Sequence, residues 1–350
     1  MKKETALGTI RIKVKDLQPY EKTKRSWKRV KKDISGIKKV IKLFKANKNF
    51  KILKDTKNPH FLKGQLGPEG QVQGARIKVL PNGAELDKAF SLFSEDLTIH
   101  DQDSSSHWDL IYKNKGGTYA YCYTLEKNKI KKKEKFNKVA KFDKKYSLLL
   151  KNVKKALKDN EDRLALPMFT LLQTHMRVGN EMYYKAHRHK GLTTLKKKDV
   201  TIRGDEVKFD YIAKDGVPRL IVKKFPKVYV NRLRKELRKK KPSDFVFTGK
   251  ESKRPIKEPE FKKAFKRYSG EEFYPHIVRS HYATKEVNNF LKGKRKVKKE
   301  EVNALYLSIA KDLGHKRFIK KKQEWNNNFT VTVNHYIDPV LVEKVSKKIV

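Results

Sequence analysis

The chain has 350 residues, 37% of them hydrophobic, which is enough for more than one core and excludes a single small domain. Lys and Arg number 87 against 39 Asp and Glu, a formal net charge of +48 that points to a long polyanion such as nucleic acid. One cysteine, Cys122, excludes an intramolecular disulfide and a cysteine metal cluster.

Read in chain order, the first part consists of strands and loops. Alternating stretches at residues 8–14 and 75–80 are separated by turn signals, among them Gly67-Pro68 and Pro81-Asn-Gly83. A helical stretch over residues 34–44 interrupts them, and Gly116-Gly117 precedes another alternating run at 118–125. A lysine-rich stretch at 127–138 reads as a basic linker, with the domain boundary near residue 135. The expected domains are therefore 1–135, β-rich, and 136–350, mostly helical with a small sheet.

The second part follows helical spacing. Leu149, Val153, Ala156 and Leu157 share one helix face, and a second helix is expected at 164–176. Val207, Phe209 and Tyr211 alternate with polar residues, Asp215-Gly216 is a hairpin signal, and residues 217–222 return. Further helices are expected at 228–240, 258–267, 279–291, 299–313 and 339–349. No Walker A pattern occurs, so ATP binding has no support. No signal peptide or long apolar span is visible, which leads us to expect an intracellular, DNA-associated protein with no membrane contact.

Five scattered residues carry candidate chemistry: Arg177, Lys214, Arg279, His315 and Tyr336. Two arginines can clamp a phosphate, a lysine or histidine can donate a proton, and a tyrosine oxygen can attack phosphorus. Each also has an ordinary reading. Arg177 could pair with Glu181 at the surface. Lys214 is one of 87 cations, and Tyr336 is one of 15 tyrosines. His315, after Gly314, could simply close a helix.

The segments around these residues supply the resemblance. Arg177-Val-Gly-Asn-Glu followed by Gly191-Leu-Thr-Thr-Leu resembles the type IB DNA topoisomerases, especially their compact viral and bacterial branch. Ser269-Gly-Glu-Glu-Phe, Leu313-Gly-His and Tyr336-Ile-Asp-Pro are similar to that family in the same order, and the likeness covers most of residues 110–350. It implies an α+β protein whose β-rich and helical domains clamp duplex DNA, acting as a monomer without cofactor or metal. It also implies the roles. Tyr336 is the nucleophile and forms a 3′-phosphotyrosyl link. Arg177, Arg279 and His315 stabilise the transition state, and Lys214 protonates the leaving 5′ oxygen.

Two departures stand out. Arg279 is followed by Ser280 where that branch usually has threonine, and His276-Ile-Val-Arg279 resembles the tyrosine recombinases. The residues between His315 and Tyr336 exceed the branch's usual spacing, with a basic and then Asn-rich insertion at 318–329 expected as a loop. His276 and His281 remain open between a supporting role and packing. His100, Asp101, Asp103, His107 and Asp109 are read as a polar loop rather than a metal site, and Tyr119, Tyr121 and Tyr123 as core or a DNA-facing wall. The alternatives are a tyrosine recombinase and a non-enzymatic basic nucleic-acid-binding protein.

Overall fold

The computed structural model describes residues 5–100, 108–114, 117–249 and 252–350. The chain divides into two compact units, Met1–Glu134 and Lys135–Val350.

The first unit is strand-rich. β1 (Ile10–Ile12), β2 (Pro19–Lys22) and β3 (Trp27–Arg29) come before α1 (Ser35–Ala46). After it come β4 (Gln65–Leu66), β5 (Val72–Gln73), β6 (Ile77–Val79), β7 (Glu85–Phe90), β8 (Glu95–Ile99), β9 (Leu110–Lys113) and β10 (Tyr119–Cys122). They form three antiparallel sheets, ordered β3-β2-β1-β4-β5, β10-β9-β8 and β6-β7. Helix α1 forms because Ile37, Val40, Ile41 and Phe44 fall on one face, and all four are buried. They join Ile12, Leu53, Ile77, Phe90, Leu110 and Cys122 in one core. Tyr119 and Tyr121 are 47% and 41% exposed, so the tyrosine stripe is surface rather than core.

Helix α2 (Leu125–Ala156) contains the whole lysine-rich run expected as a linker. The expectation followed charge alone. Lysine is a good helix former, and Phe136, Val139, Phe142, Leu149 and Val153 supply a buried stripe at helical spacing. The second unit continues with α3 (Ala165–Thr174), α4 (Glu181–His187), β11 (Val200–Arg203), β12 (Glu206–Ile212), β13 (Pro218–Lys224), α5 (Lys227–Arg238), α6 (Glu258–Ser269), α7 (Ile277–Leu291) and α8 (Lys299–Leu313). It ends with β14 (Lys316–Ile319), β15 (Glu324–Asn327), α9 (Thr330–Tyr336) and α10 (Pro339–Ser346).

In the sheet β11-β12-β13, Val207, Phe209 and Tyr211 point inward as their alternation requires. They pack into a core with Phe142, Phe169, Tyr229 and Phe265. A second core joins α7, α8, α9 and α10 through Ala283, Val287, Tyr306, Ile309, Tyr336 and Val345. The expected α+β class therefore holds: a β-rich N-terminal part and a helical C-terminal part with small antiparallel sheets. The insertion expected as a loop is instead the β14-β15 ribbon.

Candidate active site

Arg279 anchors the site. It lies in the first turn of α7 and is 2% exposed. A buried guanidinium needs acceptors for its donors. Nη1 donates to the His175 carbonyl at 2.6 Å, and Nη2 donates to the Leu313 carbonyl at 2.9 Å. These two carbonyls end α3 and α8, where helices leave carbonyls unsatisfied. Among the described residues, Nε has no partner. Burial lowers the Arg279 pKa to about 10, against the opposing pull of Tyr336, and the group remains a cation at neutral pH.

His315 meets the same guanidinium, with Nε2 3.0 Å from Nη2. An arginine has only donors, so Nε2 accepts, and the imidazole proton sits on Nδ1. Nδ1 lies 2.8 Å from Thr332 Oγ1 and donates to it. Burial, followed by the charges of Arg279, Arg177 and Arg219, pushes the His315 pKa down to about 2, so the ring is neutral.

Gly314 makes this placement possible. It ends α8 in the left-handed region, φ 70°, and a Cβ there would lie 2.9 Å from Arg219 Cδ. The Arg219 guanidinium donates to the carbonyls of Lys311 and Asp312, and so caps the negative end of α8.

Tyr336 closes the cluster. It ends α9 and is 5% exposed. Its ring centroid is 4.8 Å from that of His315 and 5.1 Å from the Arg279 Cζ. The His276 ring centroid also lies 5.1 Å from that of Tyr336. His276 is exposed to solvent. Desolvation against its neighbours, with Arg279, Lys135, Arg177 and Lys214 nearby, lowers its pKa. His281 faces elsewhere, with Nε2 2.7 Å from Asp143 Oδ1 and its ring against Tyr146. His276 thus borders the candidate nucleophile, whereas His281 packs.

Arg177 and Lys214 line a common cavity with Asn180, Tyr183 and His189. The two sequence segments that suggested the family interlock behind it. Leu192 N donates to the Arg177 carbonyl at 2.8 Å, and Thr193 N donates to the Val178 carbonyl at 2.7 Å. A Cβ on Gly191 would lie 2.6 Å from the Arg177 carbonyl oxygen. Glu181 pairs with Lys185 at 2.9 Å, so the simple ion pair suggested for Arg177 is not the one formed. The Arg177 charge also acts on Arg279, His315 and His276.

Lys214 stands exposed at the tip between β12 and β13. Asp215 and Gly216 take left-handed φ values of 65° and 77°, the geometry the Asp-Gly pair signalled. Lys190 N donates to the Ile212 carbonyl at 2.8 Å, tying this hairpin to the segment behind Arg177.

Four contributors were not singled out from sequence: Arg219, Thr332, Lys135 and the His175 carbonyl. Arg219 had a signal, since it shares the inward phase of β13 with Ile221 and Lys223. Lys135 Nζ donates to the His335 carbonyl and lies 5.4 Å from the Tyr336 ring centroid. Asp109 is structural: Oδ2 accepts from Thr124 N and Oδ1 from Lys127 Nζ, both at 2.8 Å. Asp101, Asp103 and His107 lie outside the described residues. Among the described residues, no cluster of His, Cys, Asp and Glu could hold a metal ion, and no helix is long and apolar enough to cross a membrane.

Residues 126–336 match the family described as eukaryotic DNA topoisomerase I, catalytic core. The chain belongs to that family. The matched segment begins near the start of α2 and ends at Tyr336, so it contains all five candidate residues. No curated protein matches. Solved structures similar to the chain include two recombinase complexes. One is the XerH site-specific recombinase bound to difH substrate in a pre-cleavage complex: 16% identity, TM-score 0.34, covering 49% of this chain and 45% of that one. The other is XerH bound to palindromic difH substrate in a post-cleavage complex: 20% identity, TM-score 0.31, covering 41% and 40%. The likeness spans less than half the length of either recombinase.

Proposed function

We propose that this protein is a type IB DNA topoisomerase that relaxes supercoiled duplex DNA, acting as a monomer. The observation that carries the reading is the buried contact of Arg279 and His315 with Tyr336. The Tyr336 ring packs beside a fixed cation and an imidazole, and a phenol with those two groups as neighbours is suited to attack on phosphorus.

In this reading the Tyr336 oxygen forms a bond to the scissile phosphorus, and the bond to the 5′ oxygen breaks. The phenolic proton passes to water, and Lys214 gives its proton to the departing 5′ oxygen. Arg279 and Arg177 neutralise the nonbridging oxygens. For His315 to donate to one of them, its proton must move from Nδ1 to Nε2. The Thr332 hydroxyl supports either state, because it accepts from Nδ1–H and can donate to bare Nδ1. The freed strand rotates, and its 5′ hydroxyl then reverses the reaction. Bond energy stays in the phosphotyrosine, so this scheme uses neither ATP nor metal.

Relaxation of a negatively supercoiled plasmid in EDTA and without ATP tests the reading. Ladders of relaxed topoisomers are expected, and an unchanged plasmid would refute it. The recombinase reading draws support from His276 packed on Tyr336, and it predicts exchange between two duplexes instead.

A further inference from the structure

Between His315 and Tyr336 lies an element that the proposed chemistry does not use. β14 and β15 pair with Lys316 opposite Asn327, Arg317 opposite Asn326, Phe318 opposite Trp325 and Ile319 opposite Glu324. This register puts Phe318 and Trp325 side by side on one face, with ring centroids 5.2 Å apart. Phe318 is 38% exposed, so the pair is not there to fill a core. The ribbon also carries Lys316, Arg317, Lys320, Lys321 and Lys322 against a single carboxylate, Glu324. Lys320, Lys321 and Lys322 at its turn are all exposed, and Lys322 reaches Glu324 only at 4.0 Å.

A two-stranded ribbon with little buried surface is marginal by itself. This one is rooted in the candidate site, since Asn328 N donates to the His315 carbonyl at 3.0 Å. Clustered cations beside open aromatic rings suit nucleic acid, where phosphates take the charge and sugars or bases take the rings. A ribbon of this width can enter the major groove of B-DNA. A second copy of the chain is a poor partner for it, because each copy carries a formal net charge of +48.

We propose that the β14-β15 ribbon is a second duplex-DNA contact, with its lysine tip on phosphates and its Phe318–Trp325 face in the groove. The proposal rests on the DNA reading above and adds the place where the DNA is gripped.

The test uses the full chain and a defined duplex. Binding is measured over a salt series for the wild type and for Lys320→Gln/Lys321→Gln/Lys322→Gln. Each phosphate no longer neutralised by a lysine should reduce the slope of log affinity against log salt by about 0.9, so the variant should fall by roughly 2–3. Separately, adding duplex should change tryptophan emission in the wild type, and Trp325→Phe should remove most of that change. An unchanged slope overturns the phosphate contact. Trp325 emission that ignores duplex overturns the groove contact, as does emission that follows protein concentration without DNA. Covalent adduct formation by the wild type is scored on the same duplex. Its absence would count against the topoisomerase reading, whereas the slopes and emission speak to the ribbon.

Discussion

Thr332→Val is the most informative single change in the site. Thr332 is fully buried, and its hydroxyl lies 2.8 Å from His315 Nδ1. Valine keeps the shape and removes the oxygen, leaving a buried imidazole nitrogen without a partner. That costs about 1–3 kcal/mol. For a unit of this size, each kcal/mol lowers the melting temperature by roughly 2–4 °C, so a drop of about 2–12 °C is expected. If the same hydrogen bond supports the proton on Nε2 in the transition state, cleavage slows by about 10–100-fold. Single-turnover cleavage of a suicide duplex, together with thermal melts, reads both effects. Thr332→Ser restores the hydroxyl and should recover most of the rate. A valine variant that cleaves at the wild-type rate would refute the coupling between Thr332 and His315.

Other expectations follow from neighbouring residues. Lys214→Ala should slow cleavage of ordinary DNA but barely affect a substrate with sulfur at the bridging 5′ position, since a thiolate leaves without protonation. Arg279→Ala should be impaired on both, and equal damage to Lys214→Ala on both would remove Lys214 as general acid. Gly191→Ala places a Cβ 2.6 Å from the Arg177 carbonyl oxygen, where only backbone could yield. We expect a loss of about 1–3 kcal/mol and a cleavage defect of around 10²-fold from displacement of Arg177, and wild-type melting and cleavage would contradict this. The His315 pKa is lowered from 6.5 to about 2, so the unfolded chain takes up a proton near pH 6.5 that the folded site refuses. Stability is therefore full above that pH and declines as pH falls through the window below it, by up to about 1.4 kcal/mol per pH unit. His175, lowered to about 3, adds in the same direction. Urea midpoints at several pH values should show a shallower acid decline in His315→Gln than in the wild type, and identical slopes would exclude His315 as a source.

The sequence was most legible where one spacing rule dominated. Helices α1 and α8 and the β12-β13 hairpin stand out through apolar periodicity and the Asp215-Gly216 turn. It misled where charge masked periodicity. Lys127 to Lys138 reads as a linker by composition, yet the stripe through Phe136, Val139 and Phe142 makes it helix. The β14-β15 ribbon has too few apolar residues for visible alternation, and only pairing reveals it. Arg279 and His315, 36 residues apart, meet because the first turn of α7 and the end of α8 come together, so neither their contact nor the Thr332 bond has a local sequence signal. Gly191 is different: its motif was visible, and its reason is the backbone of Arg177 against it.

The central claim is that Tyr336 attacks the DNA. The most direct test incubates duplex with the wild type and with Tyr336→Phe, and resolves the mixtures on denaturing gels after single-turnover trapping. The account predicts a covalent protein–DNA adduct with the wild type, and none with Tyr336→Phe although that variant still binds DNA. An adduct formed by Tyr336→Phe, or none formed by the wild type, would contradict it.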